Sequence, residues 1–139
     1  MFGTPLVLLA GWLAWPYPNL AAKAPYRLSS SEHPCKELYS CGNAFFHTTE
    51  EDSPWIEYDL GAPTVLHRIT ILNRSDCCQD RALPLVIELS SDQNQWDEVD
   101  RAVSPFATYR ASLEGNTARY VRLRVARRSV LHLEKVVIR

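Results

Sequence analysis

Apolar residues recur at every second position in several segments of this chain, and this period constrains the fold more than any other feature. In residues 64–73, Val65, Ile69 and Ile71 are predicted to share one face with His67. The same alternation recurs at residues 84–91, 119–125 and 130–139. Such a period is typical of half-buried antiparallel strands.

Turn sequences separate these segments, and no stretch after residue 50 shows apolar residues at helical spacing for three turns. The turns are predicted at residues 60–63, 91–94 and 114–116. Several short strands at this spacing predict an all-β chain, built as an antiparallel β-sandwich or jelly roll. Residues 28–50 have no clear period, and a long loop of this kind on a sandwich usually carries function.

Length and charge are those of one globular domain. The chain has 139 residues, and its 46% hydrophobic content is enough to order it. A net charge of −1 gives no electrostatic basis for binding nucleic acid. Residues 1–100 hold six Lys or Arg against fourteen Asp or Glu, whereas residues 101–139 hold nine against two. We expect strands of opposite charge to pair within the domain.

Residues 1–18 differ from the rest of the chain. Residues 5–15 are apolar and uncharged, and they are shorter than the roughly 20 residues that span a bilayer. Their length suits the apolar core of a secretory signal, and a truncated membrane helix or a buried extension is the alternative. We therefore expect an exported or membrane-tethered, extracytoplasmic protein whose folded domain covers residues 19–139.

The residues that best suggest chemistry follow the predicted strand at 64–73, and so lie at one end of the sandwich. Arg74 and Arg81 flank Asp76 and the adjacent Cys77 and Cys78. An arginine fork fits vicinal hydroxyls or a carboxylate, and Asp76 can hold one fork in place through two parallel hydrogen bonds. A surface ion-pair cluster that binds nothing is the alternative.

Four cysteines allow three pairings. The local solution pairs Cys35 with Cys41 and Cys77 with Cys78, and an exported protein would permit it. A zinc site built from His33 and the cysteines is the rival interpretation. It lacks the C-x-x-C spacing that most structural zinc sites use.

Three stretches resemble the discoidin or coagulation-factor C-type domains of the galactose-binding-like superfamily: residues 19–30, 54–61 and 118–123. The likeness covers about residues 19–139. Within this superfamily the chain is most similar to the F-type, fucose-binding lectins. These are marked by a His, then some two dozen residues, then Arg-x-Asp-x-x-x-x-Arg, often with two adjacent cysteines inside. Here His47 is followed by 26 residues and then by Arg74 to Arg81.

The resemblance implies a site for a neutral, fucose-like sugar. His47, Arg74 and Arg81 would donate hydrogen bonds to the sugar, and Asp76 would orient an arginine. The bonded cysteine pair would form a small apolar platform for the ring, as a neutral sugar needs fixed donors beside a nonpolar surface. The wall for the fucose methyl group would come from one of three aromatic residues: Tyr39, Phe45 or Phe46.

The resemblance also implies a structural calcium ion, held by the loop before the histidine and by a Glu near the C-terminus. Glu134 matches that Glu, whereas residues 36–43 lack the expected Asp-Gly-Asn pattern. A calcium site in this chain would use Asn43, Glu134 and backbone oxygens. The family often carries a disulfide at the positions of Phe45 and Leu133, and here we expect an apolar contact instead.

Three functions stay open at this stage. The first is a non-catalytic carbohydrate-binding module for a fucose-like glycan. The second is a discoidin-type protein-interaction domain of a larger membrane-associated protein, with the sugar site vestigial. The third is binding to anionic surfaces through residues 119–128. No Ser-His-Asp order, nucleotide loop or pair of catalytic carboxylates is evident, so we expect neither an enzyme nor a catalytic cofactor. The sequence does not indicate the oligomeric state.

Overall fold

The computed structural model describes residues 17–31 and 41–139. The predictions on residues 1–16 and on His33, Cys35 and Tyr39 lie outside the described residues. Within the described part, no helix is both long and apolar enough to cross a membrane.

The described chain is made of antiparallel strands joined by loops and two short 3₁₀ helices. The strands are β1 (Tyr26–Leu28), β2 (Glu51–Asp52), β3 (Trp55–Asn73), β4 (Leu85–Ser90), β5 (Asp97–Ala102), β6 (Thr108–Val125), β7 (Arg128–Ser129) and β8 (Leu133–Ile138). The 3₁₀ helices are Leu20–Ala22 and Gln79–Ala82. The prediction of an all-β antiparallel fold is confirmed.

The long strands β3 and β6 pair with each other along most of their length and connect the rest of the fold. The first part of β3, residues 55–59, pairs with β6 and with β1, while β4 and β5 continue the sheet beyond β6. The second part, residues 64–73, pairs with the start of β6 and with β8. The ladder of β2 and β7 is separate and short. Apolar side chains from both parts meet in one core.

Two predicted turns lie inside strands rather than between them. Residues 60–63 interrupt the register of β3, and residues 114–116 lie in β6 beside a second register shift, between Leu66 and Arg68. Between the pairs that Leu66 and Arg68 form, β3 advances two residues while β6 advances four, so the simple alternation of side chains is broken there. The prediction that Val65 shares the buried face was therefore wrong: Val65 is 61% exposed, and Leu66 is buried instead.

Oppositely charged strands pair, as the uneven charge distribution predicted. Arg27, Glu57, Arg122 and Glu88 lie at one register across β1, β3, β6 and β4. The buried carboxylate of Glu88 accepts hydrogen bonds from Arg122 Nε at 2.7 Å and from Arg124 Nη2 at 2.6 Å. The ion pairs that cross this sheet therefore neutralise much of the positive charge of β6.

Replacing Glu88 with Ala should lower the free energy of unfolding by about 2 kcal/mol, because two half-buried guanidinium groups lose their carboxylate. Both arginines keep some contact with water, which limits the cost. Urea unfolding followed by tryptophan fluorescence measures the change. In the control, Glu98→Ala removes an exposed pair with Arg101 and should cost much less than Glu88→Ala. Equal losses in the two variants would contradict this assignment.

Candidate functional site

Asn73, the last residue of β3, closes the loop that follows it. Its buried side-chain nitrogen donates to the carbonyl oxygens of Gln79 at 3.0 Å and Phe106 at 3.2 Å. Its side-chain oxygen accepts from the backbone N–H of Arg74 at 2.8 Å. Because this amide is 1% exposed and fully engaged, the Asn73-Arg74-Ser75 sequon is closed to glycosylation.

Arg74 and Asp76 form a two-point ion pair on this loop. Arg74 Nε donates to Asp76 Oδ1 at 2.6 Å, and Arg74 Nη2 donates to Asp76 Oδ2 at 3.0 Å. These hydrogen bonds, helped by the backbone N–H of Asn43, hold the pKa of the Asp76 carboxyl below its usual range. Asp76 therefore stays ionised, and Arg74 is held in one orientation.

The loop at residues 41–50 lies directly on this ion pair. Gly42 has a φ of +59°, and a Cβ at this position would overlap the side chains of Arg74 and Asp76. Beside it, the side-chain amide of Asn43 donates to the hydroxyl of Ser75. Only glycine allows this approach, so the two loops are fitted to each other.

The cysteine pair at the tip of the loop is oxidised. Cys77 and Cys78 are joined by a disulfide, and Cys78 has a left-handed backbone with a φ of +64°. Cys41 is also disulfide-bonded, and its predicted partner, Cys35, lies outside the described residues. These three cysteines are therefore not available as thiolate ligands, which argues against the zinc site.

Arg81 lies on the 3₁₀ helix Gln79–Ala82, which the end of β6 and β7 hold in place. The hydroxyl of Ser129 donates to the carbonyl oxygen of Arg81 at 2.7 Å. The guanidinium of Arg127 donates to the carbonyl oxygen of Asp80 at 2.9 Å and to that of Leu83. The backbone of Arg81 is thus fixed while its side chain is exposed.

His47 lies across the loop from a second histidine, His132. Thr48 donates its backbone N–H to the carbonyl of Leu131 at 3.0 Å, and its hydroxyl accepts the N–H of Leu131 at 2.9 Å. This link brings the two imidazoles to a centroid distance of 5.2 Å. His47 Nδ1 lies 2.8 Å from the carbonyl oxygen of Thr48, so Nδ1 carries the proton and donates it.

His132 is completely buried, and neither ring nitrogen has a hydrogen-bond partner among residues 17–31 and 41–139. Burial lowers its pKa to about 4, and the charges of Arg74, His47 and Arg81 act in the same direction. Burial and these charges together keep the His132 imidazole neutral at pH 7. The sequence suggested only a structural role for His132, because the contact with His47 is long-range.

His47 and Arg81 line one surface cleft of about 490 Å³. The complete lining is His47, Glu50, Asp80, Arg81, Arg127, Arg128, Ser129 and Val130. Arg74, Asp76 and the cysteine pair belong to the adjoining loop and are not part of this lining. The cleft offers both cationic donors and carboxylate acceptors.

The aromatic residues before His47 separate into two environments. Phe46 is 2% exposed and lies in the hydrophobic core, where it packs edge-on against Phe45 at 4.7 Å. The structure thus places Phe46 beneath the loop and not on the wall of the cleft. Phe45 donates its backbone N–H to Leu133 at 3.0 Å. The two positions that hold a disulfide in similar proteins are therefore neighbours here.

The residues expected to hold calcium do not form a donor set in the described ranges. The side-chain nitrogen of Asn43 faces Ser75, and Glu134 lines a different pocket, beside Tyr26 and Lys135. No group of three or more His, Cys, Asp or Glu side chains converges in residues 17–31 and 41–139. The calcium site stays a prediction, since most of residues 36–43 lie outside the described part.

The sequence profile of a family described as the NedA-like, galactose-binding domain, of the F5/F8 type C group, matches residues 40–123. The chain belongs to this family. It is a carbohydrate-binding module of the galactose-binding-like type. A comparison with curated protein sequences gave no match.

Solved structures similar to this galactose-binding-like domain include three binding proteins. A fucose-binding module of Streptococcus pneumoniae, SpX-3, is 22% identical with a TM-score of 0.74, over 88% of this chain and 98% of that one. An F-lectin from striped bass serum is 25% identical with a TM-score of 0.74, over 89% of this chain and 49% of that one. A Clostridium perfringens module in complex with GalNAc-β-1,3-galactose is 14% identical with a TM-score of 0.72, over 88% and 99%. The domain spans about half of the bass lectin.

Substituting Gly42 with Ala in this galactose-binding-like domain should lower the free energy of unfolding by about 2 kcal/mol, from backbone strain and displacement of the Arg74–Asp76 pair. The matched control is Gly61→Ala, where φ is +86° and nothing lies within 4 Å of the added carbon. That control carries the backbone cost alone, about 1 kcal/mol. Chemical unfolding of both variants measures the difference, and identical losses would contradict the close contact.

The buried His132 should make the domain less stable in mild acid. The pKa of His132 is about 4 in the folded domain, below the ordinary value of 6.5. Between these two pH values the imidazole is protonated in the unfolded chain and neutral in the folded domain, which favours unfolding. The stability that neutral His132 contributes is fully present above about pH 6.5 and is lost as the pH drops toward 4. The free energy of unfolding should fall by about 2 kcal/mol between about pH 7 and pH 5.

Urea unfolding at the two pH values measures this loss. His132→Leu should remove most of the pH dependence, whereas the control His67→Gln changes a partly exposed histidine and should retain it. A His132→Leu variant with the unchanged acid loss would show that another group is responsible.

Proposed function

We propose that this domain is a non-catalytic module that recognises a terminal, fucose-like sugar through His47, Arg74 and Arg81. The observation that supports the proposal is the shared cleft of His47 and Arg81. On the loop that leads to Arg81, Asp76 holds the guanidinium of Arg74 in one orientation. Because Nδ1 of His47 donates to the carbonyl oxygen of Thr48, Nε2 would accept a hydrogen bond from a sugar hydroxyl.

The charge of the cleft suits a neutral polyol better than an anion. Glu50 and Asp80 lie in the same lining as the arginines, so hydroxyl groups would meet both donors and acceptors. Arg127 donates hydrogen bonds to three carbonyl oxygens. The guanidinium of Arg128 lies 3.6 Å from the carboxylate of Asp52, which offsets its charge. The exposed Cys77–Cys78 disulfide would supply the nonpolar surface for the sugar ring.

Binding to anionic surfaces through residues 119–128 loses support. Arg119 is paired with Asp59 at 2.9 Å, and Arg122 and Arg124 share the carboxylate of Glu88. These guanidinium groups are already satisfied within the sheet. The disulfides favour an extracytoplasmic location, because such bonds persist in oxidising compartments.

Isothermal titration with methyl α-L-fucoside tests the proposal. A single shallow site should bind it with a dissociation constant between about 1 mM and 1 μM. Arg81→Ala and Arg74→Ala should each weaken binding at least about tenfold, since each removes a charged hydrogen-bond donor. Arg110→Ala, which removes an exposed arginine on β6, is the matched control and should bind like the unmodified protein.

Circular dichroism establishes that the variants are folded before their affinities are compared. Unchanged fucoside binding in both Arg74→Ala and Arg81→Ala would eliminate these residues as sugar ligands. A glycan array then defines which terminal sugar is preferred.

A further inference from the structure

A second pocket, of about 330 Å³, lies where the helix Leu20–Ala22, β1, β3 and β8 meet. It shares no lining residue with the cleft of His47 and Arg81. Its lining is Asn19, Ala21, Ala22, Ala24, Tyr26, Phe45, Tyr58, Glu134, Lys135 and Val136. The resemblance described above assigns Glu134 to a calcium ion and offers Phe45 as a wall for the sugar methyl group, but it assigns no second sugar to this pocket.

One of the polar side chains that line this pocket is Tyr58. Tyr58 is 2% exposed; its hydroxyl makes no hydrogen bond within residues 17–31 and 41–139 and is not fully buried, so it reaches the pocket. Burial, with a smaller effect from Tyr26, raises the pKa of Tyr58 well above its usual value. The hydroxyl therefore stays protonated as a donor and is open to a hydrogen-bond acceptor that enters the pocket.

Aromatic and small apolar side chains surround this donor. Tyr26 is 45% exposed and packs edge-on against Phe45, with 5.7 Å between the ring centroids. The ring centroid of Tyr58 lies 5.8 Å from that of Tyr26. Three alanines and Val136 complete the apolar part of the lining, while Glu134 and Lys135 place opposite charges in it. The pocket therefore suits a neutral ligand that has an apolar face, a small apolar group and a hydrogen-bond acceptor.

An acetamido group meets these requirements, because its carbonyl oxygen accepts a hydrogen bond and its methyl group is small and apolar. We propose that this pocket binds the acetamido group of a 2-acetamido sugar. The Tyr58 hydroxyl donates to the acetamide carbonyl, and the methyl group packs against the alanines and Val136. The pyranose ring lies on Tyr26, and its hydroxyls reach Glu134 and Lys135.

The two pockets are connected through the Thr48–Leu131 link. Phe45 lines the Tyr58 pocket and His47, two residues later, lines the cleft. On the other segment, Glu134 lines the Tyr58 pocket, while His132 lies against His47. The two proposed saccharide sites share no lining residue, so sugar binding in the Tyr58 pocket does not require sugar binding in the cleft.

Saturation-transfer difference NMR on the full chain tests the second site. The probes are N-acetyl-D-glucosamine and N-acetyl-D-galactosamine, with D-glucose and D-galactose as the matched sugars that lack the acetamido group. We expect the acetamide methyl protons to receive the strongest saturation, and the parent sugars to give little signal. Tyr58→Phe, which removes only the hydroxyl, should weaken binding about fivefold to tenfold.

Tyr109→Phe is the control, because that hydroxyl bonds to Asp100 and lies outside the pocket. Fucoside binding should be unchanged in Tyr58→Phe, and binding of the acetamido sugars should be unchanged in Arg81→Ala. Each variant should therefore change binding at one pocket alone, so failure of one proposed site can be told from failure of the other. No saturation of the acetamide methyl at sugar concentrations up to about 50 mM, or equal affinity in Tyr58→Phe, would overturn the proposal.

Discussion

The link between Thr48 and Leu131 is the interaction that positions residues of both pockets. Thr48 uses its backbone and its hydroxyl to pair with Leu131, which ties the loop at 41–50 to the segment before β8. Phe45 and His47, two residues apart in this loop, line different pockets. The link therefore positions one histidine in the polar cleft and one phenylalanine in the aromatic pocket.

The loops that carry Gly42, Arg74 and Arg81 are held by several hydrogen bonds and close contacts, which an isolated surface ion pair lacks. Asn73 closes the loop that carries Arg74, Asp76 holds the guanidinium, and Gly42 allows the neighbouring loop to contact the pair. Arg127 and Ser129 fix the backbone around Arg81. Groups held before the ligand arrives lose less entropy on binding, which matters most for the weak hydrogen bonds of a sugar.

The period of two predicted the fold class because half-buried antiparallel strands leave that pattern directly in the sequence. It failed at Val65, because the pairing of β3 with β6 is irregular there and the extra residues, including Gly115, lie on the partner strand. It also did not predict β5, because its residues Asp97 to Asp100 are mostly polar on both faces.

The residues of the candidate site could be predicted from the sequence only where a local motif marks them. The spacing from His47 to Arg74 and Arg81 singled out the residues, and the resemblance gave them roles. The sequence could not choose between Phe45 and Phe46, since either could face the core, and the structure buries Phe46. The contact of His47 with His132 and the hydroxyl of Tyr58 in its pocket both arise from long-range packing, which leaves no local signal.

A crystal structure of the domain soaked with methyl α-L-fucoside would test the central claim most directly. The account predicts one sugar at the cleft, with side-chain nitrogens of His47, Arg74 and Arg81 each within about 3 Å of a sugar oxygen. Density for the sugar elsewhere on the domain, or a bound sugar that leaves Arg74 and Arg81 without contact, would contradict it.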